Sequence, residues 1–254
     1  MNLTCDSSIA DGYTSRSQKS RIISEWWVAE NGYCLACDSE KLVPTRRNTQ
    51  ARDFECISCG HPYELKSTRG KFGKQINDGA YSAMMRRIED SSTPSFLLLG
   101  YTPAWTIDSL QAIHHLLITP LAIRARAPLT ATAQRAGWIG CNILLSQIPQ
   151  EGRIDLVKNG VAAPMSHSRH EFAKTEKLNK LSPTERSWTA EILNSIHGLG
   201  KKTFTLQEAY LFEARLAIVY PSNRHIRAKI RQQLQVLRDL GFIDFVARGV
   251  YSLR

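Results

Sequence analysis

Asp53, Glu64 and Lys66 are the residue types that metal-assisted hydrolysis of a phosphodiester requires, and they lie close together in the chain. Such a reaction needs a metal that polarises the phosphate and lowers the pKa of its bound water, with a cation near the nucleophile or the developing charge. Asp and Glu offer hard oxygens suited to Mg2+, which takes one or two carboxylates and keeps several waters. Lys66 supplies the cation; orienting the water, deprotonating it and stabilising the transition state are all open to it. In a strand, Glu64 and Lys66 point to one face and Leu65 to the other, so the charged pair lines a cleft while Leu65 anchors in the core. The turn Cys59-Gly60-His61-Pro62 would fold this strand back beside the one carrying Asp53.

The elements that must position this trio include a cysteine framework. Cys34-Leu35-Ala36-Cys37 and Cys56-Ile57-Ser58-Cys59 are two CxxC pairs separated by 18 residues. Four thiolates complete a tetrahedral shell, so the spacing predicts a closed, structural Zn2+ site rather than a catalytic one. Formation of such a site stabilises small zinc peptides by about 10–16 kcal/mol, enough to order a local hairpin. Disulfides are the competing reading, and they sit badly with a cytosolic chain. Cys5 and Cys141 stand alone and read as small apolar side chains. His61 follows a shell that the cysteines already fill, so it is left out of the ligand set.

The chain of 254 residues carries a net charge of +10, with 43% hydrophobic and 22% charged residues. This composition gives ample core and excludes disordered and collagen-like classes; no internal repeat is present. Met1 to Gly12 holds no basic run followed by an apolar stretch, and nowhere do 18 consecutive apolar residues occur. A cytosolic protein with no membrane association is therefore expected. The positive surface favours polyanions, above all nucleic acid. Directly after the candidate site, the run from Lys66 to Lys74 includes Arg69 and Lys71 and could follow a phosphate backbone. Trp138, between Gly137 and Gly140 and downstream of Arg124 and Arg126, could reach DNA from a loop, although a Trp is more often core.

Element types mix in the first part of the chain, which predicts an α/β or α+β class. A helix is expected around Ser17 to Glu30, a hairpin across residues 52–67, and buried strands at Phe96 to Leu99 and Ile139 to Ile148. Asn159 to Leu181 reads as a linker, giving domains of 1–181 and 182–254. After it, Ser182-Pro183-Thr184-Glu185 and Thr205-Leu206-Gln207-Glu208 are capping boxes that open two helices. A third helix is predicted from Ser222 to Leu240, followed by a hairpin that turns at Arg248-Gly249: helix, helix, helix, wing. In the third helix Ile226, Ile230, Leu234 and Leu237 form an inward stripe, with Arg224, Arg227, Arg231, Gln235 and Arg238 on a neighbouring face. Arg and Gln suit the major groove. Residues 183–254 hold 11 Lys and Arg against 6 Asp and Glu, half of the chain's excess charge.

Asp53, ten intervening residues and Glu64-Leu65-Lys66 resemble the PD-(D/E)xK nuclease superfamily, with Arg52 in place of the proline often found before the aspartate. Over the full chain, a zinc-bearing domain of that kind followed by a winged helix resembles the methyl-directed restriction endonucleases. That resemblance rests on Cys34, Cys37, Cys56, Cys59, Asp53, Glu64, Lys66 and the segment from Gly241 to Tyr251. It implies type II cleavage of double-stranded GATC carrying N6-methyladenine. It further implies catalytic Mg2+ on Asp53, Glu64 and the backbone carbonyl of Leu65, a monomer in solution and a bacterial cytoplasmic location. One buried methyl is worth about 0.8 kcal/mol, so reading methyl groups on both strands or in both domains would multiply a modest discrimination. The rival class is a zinc-containing winged-helix regulator without nuclease activity; an RNA-directed protein fits less well, because winged helices more often meet duplex DNA.

Overall fold

The structure is a computed structural model that describes residues 1–46 and 52–254. The first helix, α1 (Arg16–Asn31), turns Ile23, Ser24, Trp27 and Val28 inward. It ends at Gly32, where a Cβ would stand 2.5 Å from the carbonyl oxygen of Val28, so only glycine lets the chain leave there so tightly. Then follow β1 (Leu42–Pro44), β2 (Phe54–Cys56), β3 (Pro62–Arg69), β4 (Gln75–Ala80), α2 (Tyr81–Glu89), β5 (Ser95–Tyr101) and β6 (Ile107–Ile113). After these come β7 (Ile123–Ala125), β8 (Gly140–Leu144), β9 (Arg153–Lys158), β10 (Val161–Ala162) and α3 (Met165–Glu176).

Among the described residues the main sheet has seven strands in the order β1-β2-β3-β5-β6-β9-β10. β3 and β5 run parallel, with Glu64 opposite Phe96 and Lys66 opposite Leu98. A parallel pair cannot be joined by a tight turn, and β4 with α2 forms the crossover. β4 also pairs with β8, and β8 with β7, in a second sheet. Every residue of β5 is buried, as expected of a central strand covered on both faces. Phe96 and Leu98 enter the core that holds Met84, Ile88 and Ile143. Leu97 and Leu99 enter the opposite one with Trp27, Tyr63 and Phe172. Fully burying each such side chain contributes roughly 1.5–3 kcal/mol. This alternation sets the side of every β3 residue as well.

The expected linker is corrected by the structure. Its middle is the helix α3, which buries Ser168, Phe172 and Thr175. Phe172 is its one bulky inward residue, so the segment lacks the apolar stripe from which a helix is read in sequence.

The rest of the chain comprises α4 (Pro183–Gly198), β11 (Thr203–Thr205), α5 (Leu206–Tyr210), α6 (Glu213–Val219), α7 (Ile226–Asp239), β12 (Ile243–Ala247) and β13 (Val250–Leu253). Both capping boxes form: Ser182 and Thr205 each accept the backbone N–H of a glutamate that bonds back to the cap. The third expected helix starts later, at Ile226, because Asn223 Oδ1 accepts the His225 N–H at 2.8 Å and holds a turn before it. Arg224 therefore precedes the helix, and α6 is an element the apolar pattern does not announce. Ile226, Ile230, Leu234 and Leu237 are buried as the stripe predicts. Strands β11-β13-β12 form a third sheet.

Helix α4 also docks on the preceding part of the chain. Trp188, Ile192 and Ile196 share one core with Leu116, Leu117 and Ile148. Asn194 donates to the Gln147 carbonyl at 2.7 Å, and His197 meets Glu151 at 2.7 Å.

Candidate active site and metal centre

Strand β2 hands over to β3 through the turn at Gly60, whose φ of 71° favours glycine. The Asp53 N–H donates to the Tyr63 carbonyl at 2.9 Å, and one Asp53 carboxylate oxygen, Oδ2, accepts the Leu65 N–H at 2.8 Å. The aspartate side chain thus continues the ladder where the β2 backbone no longer pairs. Glu64 and Lys66 face the Phe96 side of the sheet, and the Lys66 ammonium lies 5.8 Å from the Phe96 ring centroid. Leu65 packs on the opposite core. Lys66 Nζ donates to Glu64 Oε1 at 2.6 Å and to Asp78 Oδ1 at 2.7 Å.

Asp53, Glu64, Leu65, Lys66 and Arg69 border one open cavity of about 580 Å3 beside α1, and Glu64 and Lys66 also line a second one of about 390 Å3 with Asp78, Ala83 and Arg87. A hydroxyl network floors the first: Tyr101 donates to Ser20 at 2.8 Å, and Ser24 donates to Ser67 at 3.0 Å. Burial, offset in part by Lys66 and reinforced by the Asp78 carboxylate, pushes Glu64 up to about 7. Burial acts to depress Lys66, but the carboxylates of Glu64 and Asp78 outweigh it and hold the ammonium above the usual lysine range. Lys66 is therefore a charged donor at neutral pH. A hard divalent cation fits this donor set, because Glu64 Oε2 is buried without a hydrogen-bond partner among the described residues.

The four expected zinc ligands converge. Sγ of Cys34 and Cys59 are 3.6 Å apart, those of Cys37 and Cys56 are 3.5 Å apart, and all four lie within 4.8 Å of one another. A disulfide would need about 2.05 Å, whereas Zn–S bonds of about 2.3 Å in a tetrahedron set sulfurs at nearly the observed separation. Cys56 Sγ accepts the N–H groups of Ser58 and Cys59 at 3.3 and 3.4 Å. Against the effect of burial, these donors, the Cys37 thiol and the Ser39 hydroxyl bring Cys56 down to about 6, favouring a thiolate. The cluster could hold Zn2+. His61 turns away from it, its Nε2 3.0 Å from Ser95 Oγ. Cys5 and Cys141 are buried, and burial pushes each up to about 11.

The expected DNA-contacting side chains fall in separate places. Arg224, Arg227, Arg231 and Gln235 are exposed in and just before α7, and Arg248 is exposed at the tip between β12 and β13. Arg227 pairs with Glu213 at 2.7 Å, and Arg231 donates to the Tyr210 hydroxyl at 2.7 Å. Lys71 lines a different cavity from Arg69, with Nζ 3.4 Å from Asn159 Oδ1. Trp138 is half-buried at the neck of a loop closed by Leu129 N–H to Trp138 carbonyl and Gly137 N–H to Leu129 carbonyl bonds, both 3.0 Å. Its ring fills the space where a Cβ on Gly140 would stand, 2.8 Å away, and Arg135 lies over it at 5.6 Å.

Two participants carry no mark in the sequence pattern. Asp78 arrives from β4, twelve residues beyond Lys66, and short strands with one acidic residue are too common to single it out. Arg169, on the helix that reads as a linker, donates from Nε to the Cys34 carbonyl at 3.0 Å and from its NH2 group to the Ser39 carbonyl at 2.8 Å. It braces the first cysteine knuckle.

Residues 1–181 match the profile of DpnI, the Dam-replacing family, and residues 184–253 match that of DpnI_C, the Dam-replacing HTH domain. The chain belongs to this family. It is a DpnI-type protein with a C-terminal helix-turn-helix domain, and that membership implies a restriction nuclease that binds DNA.

Proposed function

We propose that this chain is a type II, methyl-directed restriction endonuclease, hydrolysing phosphodiesters of double-stranded DNA at GATC that carries N6-methyladenine. The reading gives the first part of the chain a PD-(D/E)xK nuclease role and residues 182–254 that of a winged-helix DNA-binding domain, with 1–181 as the catalytic unit. The observation that carries it is the meeting of Asp53, Glu64 and Lys66 at one cavity, with a buried Glu64 oxygen that lacks a partner among the described residues. Asp53, Glu64 and the Leu65 carbonyl would hold Mg2+. Bound there, the ion supplies Lewis-acid polarisation of the phosphate and a more acidic bound water.

The chain's own residues do the positioning. The Leu65 N–H occupies Asp53 Oδ2, so Oδ1 is the oxygen that would serve the ion. Lys66, held in its charged form, donates hydrogen bonds to the attacking water or to a phosphate oxygen and stabilises the negative charge that develops there. Arg69 and the hydroxyls of Ser20 and Ser67 offer donors along the cavity for backbone phosphates. Arg224, Arg227, Arg231, Gln235 and Arg248 are assigned to the duplex, and Trp138 with Lys71 to its flanks. The four-cysteine zinc site holds the hairpin and takes no part in the chemistry.

Asp53→Ala separates this reading from that of a zinc-containing regulator. The variant is expected to lose cutting of methylated plasmid in Mg2+ while retaining the plasmid on a filter; unaltered cleavage would remove Asp53 from the mechanism.

A further inference from the structure

Asp78 is nearly sealed from solvent, with 4% of its side chain exposed, and its carboxylate meets the Lys66 ammonium at 2.7 Å. It comes from the second sheet, where the β4–β8 register shifts between Asp78 and Ala80. Such a bulge re-aims neighbouring side chains, and here it directly follows Asp78, which stays paired with Cys141 while its carboxylate reaches Lys66 of β3. Burying a carboxylate is costly without a partner. Glu64 alone would balance the charge of Lys66, so a second buried carboxylate on the same ammonium asks for a reason.

The balance of charge supplies one. Glu64, Lys66, Asp78 and Arg87 line one cavity of about 390 Å3, so two carboxylates face two cations there, and a metal that draws on Glu64 leaves Asp78 as the carboxylate that holds Lys66. A cation on Glu64 Oε2 would share that carboxylate with Lys66, which occupies Oε1 at 2.6 Å, and each would weaken the hold of the other. Asp78 offers the ammonium a second anchor at almost the same distance.

On the endonuclease reading, we propose that Asp78 is a positioning residue: it retains Lys66 in the cavity when Glu64 turns to the metal, and so keeps the two from neutralising each other. Asp78→Asn removes the charge and lets Lys66 fall back on Glu64.

The test uses the full-length protein and a methylated GATC duplex. The Asn variant is expected to raise the half-saturating Mg2+ concentration about tenfold and to lower the single-turnover rate at saturating Mg2+ about a hundredfold. Its affinity for the duplex in Ca2+ should stay within about twofold of wild type. A purely structural role would not move the Mg2+ requirement while leaving DNA affinity alone. Asp78→Glu keeps the charge and is expected to restore the Mg2+ requirement to within about twofold of wild type, which covers the case of an Asn variant that folds poorly. An Asn variant with wild-type Mg2+ dependence, or a Glu variant shifted as far as Asn, overturns the assignment. A wild-type protein that does not cut the duplex overturns the endonuclease reading instead.

Discussion

The carboxylate of Asp53 accepts the backbone N–H of Leu65 at 2.8 Å, so an acidic side chain proposed for chemistry also completes the pairing of the strand that carries Glu64 and Lys66. The two roles can be separated. Asp53→Asn keeps an acceptor for Leu65 but loses the charge. Cleavage is expected to fall about a thousandfold, equivalent to about 4 kcal/mol of transition-state stabilisation, with the melting temperature close to wild type. Asp53→Ala should lose both activity and some stability. Equal activity in the Asn variant and the wild type would show that this carboxylate only braces the hairpin.

The cysteine cluster predicts about one zinc per chain, measured by elemental analysis of purified protein. Cys56→Ser should abolish zinc retention and lower the melting temperature markedly, because the thiolate that accepts the Ser58 and Cys59 N–H groups is removed. Chelation then has two distinct effects. Mg2+ added alone should restore cutting after brief EDTA treatment and fail once zinc has been stripped. Full recovery with Mg2+ alone in zinc-free protein would contradict a structural zinc.

The alternation of Glu64, Leu65 and Lys66 and the spacing of the cysteines are legible in sequence because each depends on a local rule, the two-residue strand period or the reach of a CxxC turn. The capping boxes at Ser182 and Thr205 are legible for the same reason. Helix α3 is not, since Phe172 is flanked on its inward face by Ser168 and Thr175, small polar residues that carry no apolar period. Asp78 depends on how a second sheet packs against the first, and the parallel pairing of β3 with β5 on a crossover. Neither is written in local pattern.

In the helix-turn-helix part, Arg227 and Arg231 are exposed but tethered to Glu213 and Tyr210. Replacing both arginines by Ala is expected to weaken DNA binding and to reduce the slope of log affinity against log salt by about 0.9 for each phosphate no longer neutralised. Glu213→Gln should strengthen binding by freeing Arg227. A salt slope unchanged in the double variant would place these side chains away from the duplex.

Burial holds His114 and His115 down at about 3, with the neighbouring histidines adding to the effect. In the unfolded chain each would titrate near pH 6.5, so below that pH the unfolded state binds protons that the folded state refuses. The histidine contribution is therefore full above about pH 6.5 and is lost as pH falls toward 3, by up to about 1.4 kcal/mol per pH unit for each histidine, opposed by Glu64, which takes up a proton in the folded state from about pH 7 downward. Denaturant melts between pH 7 and pH 5 should show this loss. His115→Gln should flatten it, and an equal slope in that variant would show that His115 does not contribute to it.

The most direct measurement is digestion of one plasmid, prepared with and without adenine methylation, in Mg2+ or in EDTA. Cutting of the methylated plasmid alone, in Mg2+ alone, and absent from Asp53→Ala protein, is the result expected of a methyl-directed nuclease centred on Asp53, Glu64 and Lys66. Equal cutting of both plasmids would contradict methyl direction. Retention of methylated plasmid without any cutting in Mg2+ would contradict the nuclease itself.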